Sequence, residues 1–143
     1  MINFVLKTKP MTSDIVYLSN LRTRCTHIQS NNQIETDAPI DNNGSGNRFS
    51  PTDLVATALA SCMITVMGIK ANQMGISFKD VSASVVKKMA ANPRRISSVS
   101  VVLTIGDIWN DREREIMENT AKSCPVSKSL SPDLEQHLSF CYK

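Results

Sequence analysis

The chain has 143 residues, of which 41% are hydrophobic and 20% are charged, and 16 basic against 13 acidic residues give a formal net charge of +3. This composition is ordinary for a soluble globular protein, and the length fits a single domain over residues 1–143. Four Phe, two Tyr and one Trp, with no basic stripe between them, offer few stacking platforms for bases. The composition therefore argues against nucleic-acid binding.

The amino-terminal segment and the longest apolar run both argue against export or membrane attachment. Met1–Pro10 has no basic region leading into an apolar stretch, as a signal peptide would. The run from Leu54 to Ile69 is shorter than the ~20 residues that span a bilayer, and Asp53 and Lys70 flank it. We therefore expect a cytoplasmic protein in which this run forms a buried helix.

The four cysteines, at positions 25, 62, 124 and 141, are widely spaced in a chain without an apparent signal sequence. Such spacing predicts reduced thiols and not a secreted disulfide framework. Zinc sites use tight ligand pairs, and the close pair of soft ligands here is Cys25 with His27. No metal site or other cofactor is expected.

The first half of the chain predicts a small sheet, a loop and a long helix. Ile15 to Asp37 mixes β-branched and polar residues around a turn at Gln29–Gln33, which indicates two or three antiparallel strands. Asp37–Asn47 is rich in turn formers and predicts an exposed loop. The run Ser50-Pro51-Thr52-Asp53 then predicts a helix start, with a serine cap, proline at the first position and an early acidic residue.

This helix should continue to about Asn72 and end near Gly75. It is apolar on nearly every face, apart from a narrow polar stripe at every fourth residue, Thr57, Ser61 and Thr65. The sheet of one small domain can cover one side of such a helix. The other side is expected to meet a partner subunit, with close approach permitted by small residues, Ala56, Ala60 and Gly68.

The second half predicts a hairpin, a helix and a closing strand. Ile76–Met89 and Ile96–Ile105 alternate as strands do, with a turn at Ala90–Pro93 between them. A helix is predicted over Asp107–Ala121 and is broken by Cys124-Pro125. A short helical turn over Val126–Leu130 and a strand around Leu138–Tyr142 follow. This order is typical of an α+β fold with segregated layers.

Cys62 and Cys124 are the candidate reactive thiols, in unlike settings. Cys62 is predicted to be deeply buried within the helix, where its thiolate would need a cation or donor from elsewhere, because backbone N–H groups inside a helix are already bonded. The candidate cations are Arg22, Arg24, Arg48, Arg94 and Arg95. Cys124 precedes a predicted helix start, where free N–H groups stabilise a thiolate.

The alternative interpretation is that the cysteines are small core hydrophobes, and Cys25 and Cys141 are assigned to that class. His27 and His137 are interpreted as surface or satisfied residues, and Met63 and Met67 as core. Asp53 lies nine positions before Cys62, ~13 Å along a helix axis and on nearly the opposite face. It either caps the helix or acts across a dimer contact by orienting an arginine.

Three segments together resemble the OsmC/Ohr family of osmotically inducible and organic hydroperoxide resistance proteins: Phe49-Ser50-Pro51-Thr52-Asp53-Leu54, Ala58-Leu59-Ala60-Ser61-Cys62-Met63 and Cys124-Pro125-Val126. The likeness extends to Asn20–Thr23, Thr36–Pro39 and Pro93–Ile96. Membership implies antiparallel sheets wrapped around long central helices in an intertwined homodimer, with two active sites at the subunit interface.

The resemblance also implies an antioxidant enzyme of stress defence, a thiol-dependent hydroperoxide reductase without metal, flavin or heme. Cys62 would be the peroxidatic thiolate that becomes a sulfenic acid. Cys124 would then close a disulfide with Cys62, which an external dithiol, in some members a lipoylated protein, reduces. Arg22 best matches the family's activating arginine, and Arg24 lies two residues away on the same strand face.

Asp53 stands where the hydroperoxide-resistance branch carries glutamate, which places the chain nearer to the OsmC-like branch. This departure motivates an alternative function, a non-catalytic dimer that binds a small ligand or senses redox state.

Overall fold

A computed structural model describes residues 10–143; residues 1–9, where the sequence predicts no signal peptide, lie outside the described part. The chain groups into two compact units, Met1–Thr52 and Asp53–Lys143. The single domain expected over 1–143 stays a prediction.

The first unit contains a three-stranded antiparallel sheet in the order β1-β2-β3, made of β1 (Ser13–Tyr17), β2 (Arg22–His27) and β3 (Gln33–Asp37). This confirms the predicted strands between Ile15 and Asp37. The β2–β3 connection closes with backbone hydrogen bonds from Asn31 to His27 and from His27 to Asn32, each 2.8 Å. The turn therefore spans residues 28–32, one residue earlier than the predicted Gln29–Gln33, because Gln33 already belongs to β3.

The loop after β3 is mostly exposed, as predicted, with one short 3-10 turn at Ile40–Asn42. Gly44 has a steric reason to be glycine, since a Cβ there would collide with the carbonyl of Ala38. The loop thus folds back closely on the residue that follows β3.

The second unit packs helices against one sheet. The long helix α1 (Pro51–Met74) begins at Pro51 and ends one residue before Gly75, as predicted. The sheet has the order β4-β5-β6 and is made of β4 (Val81–Ala90), β5 (Arg95–Ile105) and β6 (Glu135–Tyr142). Two further helices, α2 (Asp111–Lys122) and α3 (Pro125–Ser129), connect β5 to β6. This is the predicted α+β class.

The core of this unit lies between α1, α2 and the inner face of β5. Val99, Val101, Leu103 and Ile105 alternate along β5 and are at most 1% exposed, while Leu59 and Met67 from α1 are 0% exposed. Met63, which was predicted to be core, is 2% exposed. Since a strand places every second side chain on the same face, β5 supplies one continuous apolar surface to the helices.

Asp107 changes two predicted boundaries. Its carboxylate accepts hydrogen bonds from Ser77 Oγ and from the backbone N–H groups of Lys79 and Asp80, at 2.6–3.1 Å. Because these backbone N–H groups donate to a carboxylate and not to a neighbouring strand, β4 starts at Val81 and not at Ile76. The helix α2 starts at Asp111 and not at Asp107, capped by Asn110.

The last strand also differs from the predicted antiparallel arrangement, since β6 runs parallel to β5 and is longer than predicted, starting at Glu135. A parallel pair needs a crossover between its strands, and α2 and α3 supply it. The break between them falls at Cys124-Pro125, as predicted.

The small residues of α1 serve the chain's own core. Ala56 and Ala60, expected to face a partner subunit, are each 3% exposed and belong to the core of the second unit. Gly68 packs against the ring of Phe78. Val55 and Ile69 are the larger apolar side chains that α1 leaves exposed.

The expectation that this segment is too short to span a bilayer is wrong: by length and composition the 24-residue α1 is able to cross a membrane, with a mean hydropathy of 1.8 in its most apolar window. One third of that window is buried inside the structure. Its buried residues form the core together with β5, which is the arrangement of a core helix in a soluble fold.

Candidate functional site

The two candidate thiols meet within the second unit, although 62 positions separate Cys62 from Cys124. Cys62 projects from the middle of α1, and Cys124 is the residue immediately before α3. The Cys62 side chain lies beside the Cys124 thiol, close enough to contribute to raising its pKa. All four cysteines of the chain are free. The two thiols therefore belong to one local environment in the folded chain.

The order of burial is the reverse of the sequence-based expectation. Cys124 is 0% exposed, whereas Cys62, predicted to be the deeper thiol, is half-buried. The reason is that Cys124 lies between α2 and α3 against the core, while the face of α1 that carries Cys62 is only partly covered. A reagent from solvent therefore reaches Cys62 more readily than Cys124.

The backbone of α3 donates to the sulfur of Cys124. The Ser127 N–H group donates to Cys124 Sγ at 3.3 Å. Burial nevertheless raises the pKa of the Cys124 thiol above its usual value, and the neighbouring Cys62 adds to the increase, while the N–H groups of Ser127 and Val126 oppose it. The expected helix-start donor is confirmed, but desolvation outweighs it.

Gln136 on β6 holds the residue that makes this donation. Ser127 Oγ donates to Gln136 Oε1 at 2.6 Å, and Gln136 Nε2 donates to the Ser127 carbonyl at 3.1 Å. A carbonyl can only accept, so the contact with the Ser127 carbonyl fixes which way the amide points. Sequence reasoning did not single out Gln136, because no motif marks a glutamine that acts through the backbone of another residue.

Arg22 is held in the first unit by Asp37, which sequence reasoning also missed. Arg22 Nε donates to Asp37 Oδ1 at 2.7 Å and Arg22 Nη2 donates to Asp37 Oδ2 at 3.0 Å. The hydrogen bond from Arg22 lowers the pKa of Asp37 to about 2, and a 2.9 Å hydrogen bond from Ser45 adds to this effect. Arg22 and Asp37 lie directly opposite each other in the β2–β3 ladder, a register that only the structure gives.

Arg24 lies on the same face of β2 as Arg22, as predicted, but it has another partner. Arg24 and Arg48 each approach Glu35 to 3.4 Å. Of the remaining candidate cations, Arg95 donates to the carbonyl groups of Ile96 and Asp133.

Asp53 contacts a lysine. Its Oδ1 atom accepts from Lys87 Nζ at 2.7 Å, and the Lys87 side chain is only 16% exposed on the inner face of β4. This ion pair links the first turn of α1 to the sheet. The catalytic roles expected for Cys62, Cys124, Arg22 and Asp53 stay predictions.

The other cysteines and the histidines have unremarkable positions. Cys141 is exposed on the outer face of β6 and Cys25 is half-buried on β2, so neither is the core residue that the sequence suggested. His27, which hydrogen bonds Ser30, and His137, next to Glu135, are exposed as predicted. Within residues 10–143, no three His, Cys, Asp or Glu side chains cluster as metal ligands.

The polar stripe of α1 faces an open groove of about 330 Å³ between α1 and β4. Thr57, Ser61 and Thr65 line it together with Ala83 and Val85. Cys62 follows Ser61 in the helix and is therefore turned by about 100° from the Ser61 direction. The groove and the thiol pair occupy different sides of α1.

A profile of the OsmC-like protein family matches residues 44–137. A comparison with curated proteins finds no match. Among solved structures, a protein of Psychrobacter arcticus 273-4, provisionally described as an osmotic stress induced and detoxification response protein, is 49% identical, with a TM-score of 0.89 over 92% of this chain and 96% of that one.

Two more distant structures share the fold. An organic hydroperoxide resistance protein OsmC from Legionella pneumophila is 21% identical, with a TM-score of 0.72 over 93% of this chain and 98% of its own. An OsmC-like protein from Mycoplasma pneumoniae is 17% identical, with a TM-score of 0.78 over 94% of this chain and 97% of its own. The chain is thus similar to these proteins over nearly their whole length.

Proposed function

Because the chain belongs to the OsmC-like family, we propose that it is a soluble, cytoplasmic thiol peroxidase that reduces organic hydroperoxides in stress defence. The contact between Cys62 and Cys124 is the observation that carries this proposal. A relative of the same fold is named for organic hydroperoxide resistance. Inorganic peroxide is a second possible substrate under the same chemistry.

The reaction begins at Cys62, the more exposed of the two thiols. Its thiolate attacks the outer peroxide oxygen, the O–O bond breaks, and the alcohol leaves with a proton, so that Cys62 becomes a sulfenic acid. Cys124 then attacks the Cys62 sulfur, forms the disulfide and releases the hydroxyl group as water. In total one hydroperoxide and two thiols give one alcohol, one water and one disulfide.

Regeneration needs an external dithiol, which we propose to be the physiological partner, with a lipoylated protein as one such partner. The dithiol attacks Cys62 because Cys124 is completely buried, and Cys124 leaves as the thiolate. The N–H group of Ser127 is placed to stabilise that leaving group.

Arg22 is proposed as the cation that keeps Cys62 ionised, with Asp37 holding the guanidinium in one orientation. A bidentate pair fixes both the position and the plane of an arginine. Asp53 is proposed to support the same site through its contact with Lys87 and the first turn of α1. The enzyme is proposed to act as a homodimer.

The test is to add one equivalent of cumene hydroperoxide and to map the peptides by mass spectrometry. We expect a disulfide between Cys62 and Cys124, loss of turnover in Cys62→Ser, and a trapped sulfenic acid in Cys124→Ser. Cys141→Ser, which changes an exposed thiol, is the matched control. Free thiols after treatment would contradict the proposal, and a single oxidation without repeated turnover on a dithiol would support a redox-sensing module.

A further inference from the structure

Resting on the proposed function, we infer that Gln136 is a positioning residue for the second step of the cycle, in which Cys124 attacks the Cys62 sulfenic acid. It acts by fixing Ser127, whose backbone N–H group points at the Cys124 sulfur. Gln136 itself touches neither substrate nor either reacting sulfur in this scheme.

Ser127 is held at two points by one side chain. Its hydroxyl donates to Gln136 Oε1 at 2.6 Å and its carbonyl accepts from Gln136 Nε2 at 3.1 Å. Two hydrogen bonds to a single amide fix both the position and the rotation of a residue, as one bond would not. Gln136 lies on the inner side of β6, a strand paired to the core strand β5. These two hydrogen bonds between Gln136 and Ser127, called the clamp below, are therefore anchored on the sheet.

Besides the two hydrogen bonds of Ser127, α3 is held by Val126, a partly buried side chain that packs against the core. This helix has only five residues, and none of them is fully buried. A helix this short is not stable by itself, because helix nucleation is unfavourable. The polar anchor at Ser127 therefore helps to fix where the N–H groups of α3 point, and the N–H group of Ser127 itself donates to Cys124 Sγ at 3.3 Å.

The Cys124 thiol, which accepts this hydrogen bond, has no contact with solvent. Cys124 is 0% exposed, so water cannot stabilise its thiolate. The groups that act on it are the thiol of Cys62 from α1 and the N–H groups of Val126 and Ser127 from α3, and of these the N–H groups favour the charged form. Removing the clamp therefore removes part of the thiolate's stabilisation and lets Cys124 move away from the direction of attack.

The consequence is confined to the steps of the cycle that use the Cys124 thiolate. The attack of Cys62 on peroxide precedes any use of Cys124, so that step should not depend on Gln136. Closure of the disulfide uses the Cys124 thiolate as nucleophile, and reduction of the disulfide uses it as leaving group. Both should slow when the clamp is lost.

The experiment compares Gln136→Met, which keeps length but loses both hydrogen bonds, with Ser127→Ala, which loses only the bond to Oε1. Gln73→Met, at an exposed position of α1, is the matched control. Rapid mixing with cumene hydroperoxide measures sulfenic acid formation and disulfide closure separately. We expect disulfide closure to slow roughly tenfold in Gln136→Met, which is the effect of losing one hydrogen bond of ordinary strength, the one from the Ser127 N–H group to the Cys124 sulfur. Closure should slow less in Ser127→Ala. The rate of sulfenic acid formation should be unchanged in both variants. Unchanged closure in both variants, or equal slowing of both steps, would overturn the inference.

A second readout separates this inference from the peroxidase proposal. In a Cys62→Ser background, the Cys124 thiol is titrated by carbon NMR of its labelled Cβ atom, without peroxide. We expect Gln136→Met to raise the pKa of Cys124 and Gln73→Met to leave it unchanged. If the protein fails to react with peroxide but the pKa rises, the proposed function is lost and the positioning effect stands; if the pKa does not move, the positioning effect is lost.

Discussion

At the scale of single residues, Asp37 has a carboxylate that is almost inaccessible to solvent and is paired with an arginine. It is 1% exposed and accepts two hydrogen bonds from Arg22 and one from Ser45. These donors stabilise the ionised form, so the pKa of Asp37 falls to about 2 from its ordinary value of 3.8. A group whose pKa is lower in the folded than in the unfolded state stabilises the fold when it is ionised in both states.

The first prediction follows from the sign of that shift. The contribution of Asp37 to stability is fully present above the unfolded pKa of 3.8 and is lost as pH falls toward the folded pKa of about 2. Urea unfolding at a series of pH values measures the free energy of unfolding. We expect this free energy to decline with falling pH in the wild type and to decline less steeply in Asp37→Asn. Asp133→Asn, at an exposed loop carboxylate, should keep the wild-type slope. An unaltered slope in Asp37→Asn would show that the pair with Arg22 does not stabilise the fold.

At the scale of elements, α2 shows how local side chains set a helix boundary. Asn110 Oδ1 accepts from the Glu113 N–H group and Glu113 Oε2 accepts from the Asn110 N–H group, both at 2.9 Å. This reciprocal capping box satisfies two N–H groups that no helical carbonyl reaches. It fixes the start of α2 at Asp111. Asp107 lies outside the helix, and its carboxylate accepts hydrogen bonds from the loop before β4.

We predict that Asn110→Ala lowers the free energy of unfolding by about 1 kcal/mol, the usual cost of losing an N-cap side chain. Chemical denaturation followed by circular dichroism measures this change. Asn119→Ala, at an exposed interior position of the same helix, should be neutral or slightly stabilising, because alanine has the higher helix propensity. Equal stability of the two variants would mean that the cap does not define this end of α2.

At the scale of the whole molecule, the apolar surface of α1 extends beyond what the chain itself covers. Val55 and Ile69 are 37% and 53% exposed on a helix that otherwise supplies much of the core. Val55 and Ile69 lie fourteen positions apart, which places them on the same side of α1, and an exposed apolar side of a helix is a candidate for contact with a partner. This surface supports the homodimer put forward under the proposed function.

We predict that Ile69→Glu shifts the protein from dimer to monomer, because a carboxylate cannot be desolvated against an apolar partner surface without a large cost. Sedimentation velocity at several protein concentrations measures the change. Ile108→Glu is the matched control, since Ile108 is 94% exposed in a loop and belongs to no helix or strand. If the wild type sediments as a monomer, the dimer is excluded; if Ile69→Glu remains dimeric, the surface lies elsewhere.

The sequence by itself determined the local features of this protein. The limits of α1, the break at Cys124-Pro125 and the strands on both sides of the β4–β5 turn depend on caps, proline and alternation, which act between residues close in the chain. The motifs around Cys62 and Cys124 also indicated the family, which the match over residues 44–137 confirmed.

Only the tertiary structure decided which side chains meet and which are buried. It made Cys124 the deeper thiol, paired Arg22 with Asp37 and Asp53 with Lys87, and placed Gln136 against Ser127. None of these follows from sequence spacing, because each depends on how elements formed separately pack against one another and on which polar groups that packing desolvates. Burial and long-range hydrogen bonds are properties of the packed chain, and the chemistry of its thiols depends on them.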